Sequence, residues 1–154
     1  MKMNEHSTVF PDSFYRVTVK GLCVREGKIL LFHESPALSG KWEIPGGGLD
    51  FGEDIKLGLK REIEEETGLT IKKISDKPFY VWTHRFENNE RKLGWYYSLV
   101  LAYRIDFEDL NFTATDECEA IEFFSKEDLK TIELCGQTNE LADIFDPKDF
   151  EELF

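Results

Sequence analysis

The sequence has no long apolar run and no basic run, and each absence excludes a class of function. No stretch approaches the roughly 20 apolar residues that span a bilayer. The opening MKMNEHSTVFPDSF carries no apolar core of the kind a signal peptide needs. A cytoplasmic chain with no membrane partner is therefore expected. Lys and Arg number 19 against 31 Asp and Glu, a net charge of −12, and the bases form no cluster. A surface that tracks a phosphate backbone is disfavoured, so no stable nucleic-acid binding is expected. Cysteine is scarce as well. Cys23, Cys118 and Cys135 are odd in number and lack paired metal-ligand spacing, which argues against a disulfide framework. Cys23 falls in an apolar strand pattern and reads as a small core residue.

What is present suits one packed domain. The chain has 154 residues, 41% of them hydrophobic and 13 of them Phe, enough to bury about two-thirds of its unfolded surface. A single domain over residues 1–154 is expected, with 1–12 a loose lead-in. There is no internal repeat, linker or low-complexity segment to divide it.

The chain is organised around residues 47–69, GGLDFGEDIKLGLKREIEEETGL. Asp54 suits a helix N-cap and Gly68 the left-handed residue that ends a helix. Ile55, Leu59 and Ile63 form an apolar stripe between them. Glu62, Glu65 and Glu66 follow i, i+3, i+4 spacing and fall within about a 100° arc of another face. This is poor helix design. Acids at a C-terminus cost about 0.3–1 kcal/mol each, and like charges at i, i+4 add about 0.2–0.5 kcal/mol per pair. Gly58 costs about 1 kcal/mol relative to Ala in mid-helix. Rules broken together point to function: clustered carboxylates suit Mg²⁺ or Mn²⁺. A solvated acidic face is the structural alternative on spacing alone.

The residues themselves decide between these. Gly47, Glu53, Arg61, Glu62, Ile63, Glu65, Glu66, Gly68 and Leu69 stand at the spacings of the Nudix box, and Trp42-Glu43-Ile44-Pro45-Gly46-Gly47 resembles the family's approach to it. The chain is identified as resembling the Nudix hydrolases over about residues 42–69. The resemblance implies an α/β fold, a Nudix-like α/β/α sandwich with a mixed β-sheet. It also implies a metal-dependent pyrophosphohydrolase cleaving a diphosphate bond in a nucleoside diphosphate linked to a group X. Nucleoside triphosphates, nucleotide sugars and ADP-ribose all fall in that class. Glu53, Glu62, Glu65 and Glu66 would hold one to three Mg²⁺ (or Mn²⁺) ions. Glu62 or Glu65 would take the proton of the attacking water, and Arg61 would orient carboxylates, reaching Glu64 or Glu65. Glu117 is expected as a further catalytic acid on the loop before the last strand, with Glu119 its close competitor. A nucleotide-sensing Nudix domain that does not cleave is the alternative, but such domains commonly lose box glutamates and this chain keeps them. The Pro common downstream of the box in ADP-ribose hydrolases is missing, residues 83–86 being Thr-His-Arg-Phe. A homodimer is left open.

The flanks read as a sheet. Residues 14–24 alternate as a half-buried strand, with Arg16, Thr18 and Lys20 on the polar side. Arg25-Glu26-Gly27 turns it into a returning strand at 28–33, closed by a structural His33. Gly46, Gly47 and Gly48 read as a turn passing close to substrate. A strand at 69–74 breaks at Pro78 and resumes at 79–87, and Asn88-Asn89 starts a hairpin into 94–105. Trp82 and Trp95, with Phe86 and Tyr97 beside them, are the candidates to hold a base, against a plain packing role. A short strand covers 121–124. Ser125-Lys126-Glu127-Asp128 reads as a capping box opening a helix to Leu134, and further helices are expected near 138–146 and after Pro147. Gly58→Ala should be tolerated or stabilising, because the glycine is read as leaving space.

Overall fold

Two strands joined at a buried cysteine show how the chain builds its layers. The computed structural model describes residues 14–88 and 94–154, with the backbone alone for Asn88, Gly94 and Trp95. The lead-in expected over 1–12 and the turn at Asn89 lie outside the described residues. Strand β1, Tyr15–Leu22, ends at Cys23, and β2, Val24–Arg25, begins just beyond it. Cys23 is buried, and here the chain passes from one four-stranded sheet to another. The strand and its return therefore do not form one long hairpin: only Val24 and Arg25 pair with Ile29 and Lys28, around positive-φ residues Glu26 and Gly27.

The second sheet is antiparallel. Its centre is β3, Lys28–Glu34, which pairs with β2, with β4, Trp42–Glu43, and with β8, Cys118–Phe124. The first sheet is mixed, in the order β5-β1-β7-β6. In it β5, Gly46–Gly48, runs antiparallel to β1, and β7, Gly94–Phe107, runs parallel to β1 from Tyr15↔Tyr97 to Leu22↔Arg104. Strand β6, Ile71–Asn88, pairs antiparallel with β7 along its whole length.

The sheets bury apolar groups on both sides. Helix α1, Ile55–Thr67, sets Leu59 and Ile63 against Val19, Leu30 and Ile105. The short α2, Asn139–Ile144, sets Leu141 into the other core with Leu22, Ile29, Leu31 and Phe145. Leu30 faces one helix while Ile29 and Leu31 face the other, the period of two expected of a strand buried on both faces. This is the α/β/α arrangement expected. No helix among the described residues is long and apolar enough to cross a membrane.

Three local expectations change. Pro78 does not end a strand: the register slips between Ile74, Pro78 and Tyr80, so the missing N–H is absorbed by a bulge in an edge strand. The capping box forms, with Ser125 N–H donating to Asp128 Oδ2 and Asp128 N–H to Ser125 Oγ. It opens only a single 3₁₀ turn, Asp128–Lys130. The chain is then drawn off to β4, where Trp42 N–H donates to the Glu133 carbonyl and Cys135 N–H to that of Trp42. The three glycines form strand β5 rather than a turn. Of the three only Gly46 has a positive φ, 130°, and the edge of β1 not paired with β7 supplies the pairing partner.

Candidate active site

Helix α1 starts and stops where its caps require. Asp54 keeps an extended backbone and its carboxylate accepts from Leu57 N–H, while Gly68, at φ 71°, donates its N–H to the Glu64 carbonyl. Its last turn holds no base, so the charges of its glutamates must be met from elsewhere.

Arg61 meets most of them. Its Nε and Nη2 donate to Glu53 Oε2 and Oε1 at 2.7 and 2.8 Å, a two-pronged pair. Its Nη1 donates to Glu62 Oε1 at 2.9 Å and to Glu65 Oε2 at 3.3 Å. Asp50 lies 3.7 Å away. These bonds hold the Glu53 carboxyl down at about 2. Of the two partners expected for Arg61, Glu65 is engaged. Glu64 is exposed and contributes its carbonyl to the helix cap.

Glu66 turns the other way, towards β5, where its Oε2 accepts from Gly46 N–H at 3.1 Å. Burial pushes its carboxyl up to about 8, against the pull of Lys20 and the Gly46 N–H and with the charges of Glu43 and Glu62 adding to it. A Cβ on Gly47 would overlap the Glu62 carboxylate, so the strand and the helix face touch at that glycine. Gly47 thus packs against Glu62 directly, a close approach only a residue without a side chain permits.

Gly58 is buried one turn before Glu62, and a Cβ there would stand 2.5 Å from Leu49 Cδ1 and 2.7 Å from Glu53 Oε1. The space beside Gly58 is thus occupied by side-chain ends, which must shift to admit alanine.

Behind β5 lies a second charged group that the strand pattern concealed. Lys20 is fully buried, with Nζ donating to Glu43 Oε1 at 2.6 Å and to the carbonyls of Gly46 and Ile44 at 2.9 and 3.1 Å. Burial works against its charge, but Glu43 and Glu66 outweigh it and raise its pKa. Glu43 is likewise disfavoured by burial yet held below the ordinary carboxylate range by Lys20 and by hydrogen bonds from Glu34, Lys20 and Gln137. Glu34, Glu43 and Cys135 bring their donor atoms within 4.8 Å of one another. Lys20 already supplies the positive charge there.

Between these groups and the aromatic strands is a cavity of about 150 Å³. Gly46, Gly47, Gly48 and Glu66 form one wall, shared with the glutamate face. Phe86, Tyr96 and Ser98 form the other, and Arg16, Thr18, Lys20, Glu43 and Gln137 complete it. Phe14, Tyr96 and Phe86 stack in a column, with centroid spacings of 5.4 and 5.3 Å.

The candidates to hold a base are thus redistributed. Trp82 does not line the cavity: it packs against the core and its Nε1 donates to the Gln137 carbonyl at 3.0 Å. Tyr97 faces the opposite side and packs on Tyr15. The backbone of Trp95 pairs with Glu87, and its side chain lies outside the described residues. Of the four candidates Phe86 lines the cavity, with Tyr96 and Gln137, which sequence reasoning missed. Tyr96 had a signal in the strand alternation, since it shares a face with buried Ser98 and Val100. Gln137, in a 3₁₀ turn over Gly136–Thr138, had none.

On the far loop, Thr115 Oγ1 donates to the Glu66 carbonyl, tying the segment before β8 to the end of α1. Glu117 is exposed there. Its competitor Glu119 is engaged by His33 Nδ1 at 2.8 Å.

Glu53, Glu62, Glu65 and Glu66 offer oxygen donors of the kind a hard divalent cation takes, while the ligating atoms that lie within 4.8 Å of one another among the described residues are those of Glu34, Glu43 and Cys135. Glu53, Glu62 and Glu65 share the one guanidinium of Arg61, with Asp50 3.7 Å from it.

The NUDIX domain pattern matches residues 14–144, and the chain belongs to that family. It is 39% identical over 70 residues to a MutT-like protein of Streptomyces ambofaciens, covering 45% of this chain and 44% of the relative. It is 38% identical over 58 residues to a putative 8-oxo-dGTP diphosphatase 2 of Mycobacterium tuberculosis, covering 36% and 41%. The chain thus aligns with less than half the length of these curated relatives. Its fold matches the solution structure of the E. coli ORF135 protein with a TM-score of 0.64 at 25% identity, covering 86% and 89% of the two chains. It matches the MutT protein of Methanosarcina mazei Go1 with a TM-score of 0.68 at 23% identity, covering 93% and 100%.

Proposed function

We propose that the chain hydrolyses a diphosphate bond in a small nucleotide, with Mg²⁺ or Mn²⁺ held by Glu53, Glu62, Glu65 and Glu66. The observation that carries this reading is a shared wall. Gly46, Gly47, Gly48 and Glu66 border both the glutamate face and the aromatic-sided cavity, so a nucleoside in the cavity would direct its phosphates at the glutamates. A divalent ion bound there would neutralise the diphosphate oxygens and make water a better nucleophile at neutral pH.

The chain's own groups divide the remaining work. Arg61 holds Glu53 and Glu62 in place and keeps the Glu53 carboxyl low. Glu62 is pinned between Arg61 and Gly47, whereas Glu65 is exposed and held only at 3.3 Å. That freedom favours Glu65 Oε as the acceptor of the water proton, with Glu62 as a ligand. Water oxygen bonds to one phosphorus, the bridging P–O bond breaks, and two phosphate-ended products separate. Glu117 is kept as a further candidate acid, two residues beyond the Thr115 that bonds the Glu66 carbonyl. The named relatives, among them an 8-oxo-dGTP diphosphatase and an RNA pyrophosphohydrolase of Caulobacter vibrioides, support the bond class without selecting a substrate.

The test is product release from nucleoside triphosphates, nucleotide sugars, ADP-ribose and dinucleoside polyphosphates, with Mg²⁺ and with EDTA. Mg²⁺-dependent cleavage of at least one is expected. Tight binding without cleavage across the panel would point to the nucleotide-sensing alternative.

A further inference from the structure

Gln137 presents a hydrogen-bonding demand that the protein itself leaves unmet. Its Nε2 donates to Glu43 Oε1 at 3.1 Å, while its Oε1 is buried and has no donor among the described residues. Unpaired buried acceptors are rare in folded proteins because they have lost water and gained nothing. Turning the amide over would not relieve it. Glu43 accepts from Lys20 at 2.6 Å and, as a carboxylate, has no proton to offer, so a flipped amide would set oxygen against oxygen. The Lys20–Glu43 pair therefore fixes which end of Gln137 is the acceptor. The surroundings describe a ligand. Gln137 lines the 150 Å³ cavity together with Phe86, Tyr96 and Ser98, in a mostly polar setting that includes Arg16, Lys20, Glu43 and Glu66, and a volume of about 150 Å³ is enough to admit one aromatic ring. Glu140 Oε2 is also buried and without a donor, but Glu140 is bound to His84 through Oε1 and does not line the cavity.

We propose that Gln137 Oε1 is a specificity-determining acceptor that selects nucleobases presenting an amino group over those presenting an oxo group at the same position. An amino N–H satisfies the buried oxygen. A carbonyl in its place leaves two acceptors facing each other. Adenine is thereby favoured over hypoxanthine, and cytosine over uracil. The inference rests on the reading of the cavity as the nucleoside site of a diphosphate-cleaving centre, and the test separates the two.

Two measurements are made on the full chain: kcat/KM for ATP against ITP and CTP against UTP with Mg²⁺, and calorimetric binding of AMP, IMP, CMP and UMP, which needs no turnover. Wild type should prefer at least one amino base over its oxo partner by roughly tenfold to a hundredfold, the range for one buried hydrogen bond. In Gln137→Met, of similar length but without the acceptor, that ratio should fall to within about threefold, as the loss of a single hydrogen bond implies. Should the monophosphates show the preference while no triphosphate is cleaved, base recognition stands and the hydrolytic reading fails. Cleavage with no amino-over-oxo preference in wild type overturns the recognition and leaves hydrolysis standing, and it does so whether or not Gln137→Met folds. An unchanged ratio in folded Gln137→Met also overturns it.

Discussion

Two ion-pair centres flank strand β5, and they solve the same problem in opposite ways. Beneath it, Lys20 is buried with its ammonium satisfied by one carboxylate and two carbonyls. Across it, Arg61 is part-exposed and shared among Glu53, Glu62 and Glu65, while Glu66 finds only a backbone N–H. The buried centre is complete and holds β5 in place. The other keeps more negative charge than its one guanidinium can balance. A centre left unbalanced at a cost to the folded chain is where a ligand completes the structure. The two should therefore fail differently: damage to one should stop chemistry in a folded protein, and damage to the other should unfold it.

The largest separation is expected from Glu65→Gln. Turnover should fall by roughly 10²–10⁴, the share usual for a proton-transferring group. Stability should hold or rise, since an acid leaves the last helical turn. Steady-state kinetics together with urea unfolding check both halves, and near-wild-type turnover would remove Glu65 from the mechanism.

Lys20→Met should do the reverse. It leaves Glu43 buried and unpaired, at a cost of about 3–5 kcal/mol readable in the urea midpoint. A loss below about 1 kcal/mol, the size of an exposed pair, would show that Glu43 is relieved by water.

Gly58→Ala sits where α1 meets its neighbours. Overpacking costs about 1–3 kcal/mol, and the helix gains about 1 kcal/mol from alanine, so the melting temperature should fall slightly. A rise would mean that Leu49 and Glu53 move aside freely.

The last separation is a pH dependence. The Glu66 carboxyl titrates at about 8 in the folded chain, above an ordinary glutamate at about 4.3. Between those values the folded chain holds a proton that the unfolded chain has lost, so stability falls as pH rises from about 4.3 through 8 and levels off above. Metal-free wild type should thus lose stability over that window relative to Glu66→Gln. Parallel melting curves from pH 5 to 9 would contradict the assignment.

The contrast also explains what could be read from residues alone. Helix α1, its two caps and the glutamates on its face were legible because they depend on neighbours in sequence. The Lys20 centre was not. Alternation from Arg16 to Lys20 suggests a solvated face, and that inference assumes a strand with one side in water. β1 lies inside the first sheet, between β5 and β7, and Thr18 and Lys20 are both buried. The glycines of β5 read as a turn because their pairing partners, Thr18 to Lys20, lie far back along the chain, beyond any local rule. Gln137 reaches the cavity from a short 3₁₀ turn, which has no periodicity to detect. Trp82 drew attention through its size, yet its indole N–H is used up on the Gln137 carbonyl, and it supports the cavity wall instead of lining it.

The two centres differ most sharply in where a cation belongs, and a Mn²⁺ titration of the metal-free protein by calorimetry reads that directly. Ligating atoms lie within 4.8 Å of one another at Glu34, Glu43 and Cys135, where Lys20 already sits, whereas on α1 Glu53, Glu62 and Glu65 meet through Arg61 and Glu66 faces β5. With the metal on the α1 side, Glu66→Gln weakens Mn²⁺ binding by roughly tenfold or more, as loss of groups around a metal commonly does, and Cys135→Ser leaves it unchanged. Weakening by Cys135→Ser with Glu66→Gln indistinguishable from wild type would contradict this and move the metal to the other side of β5.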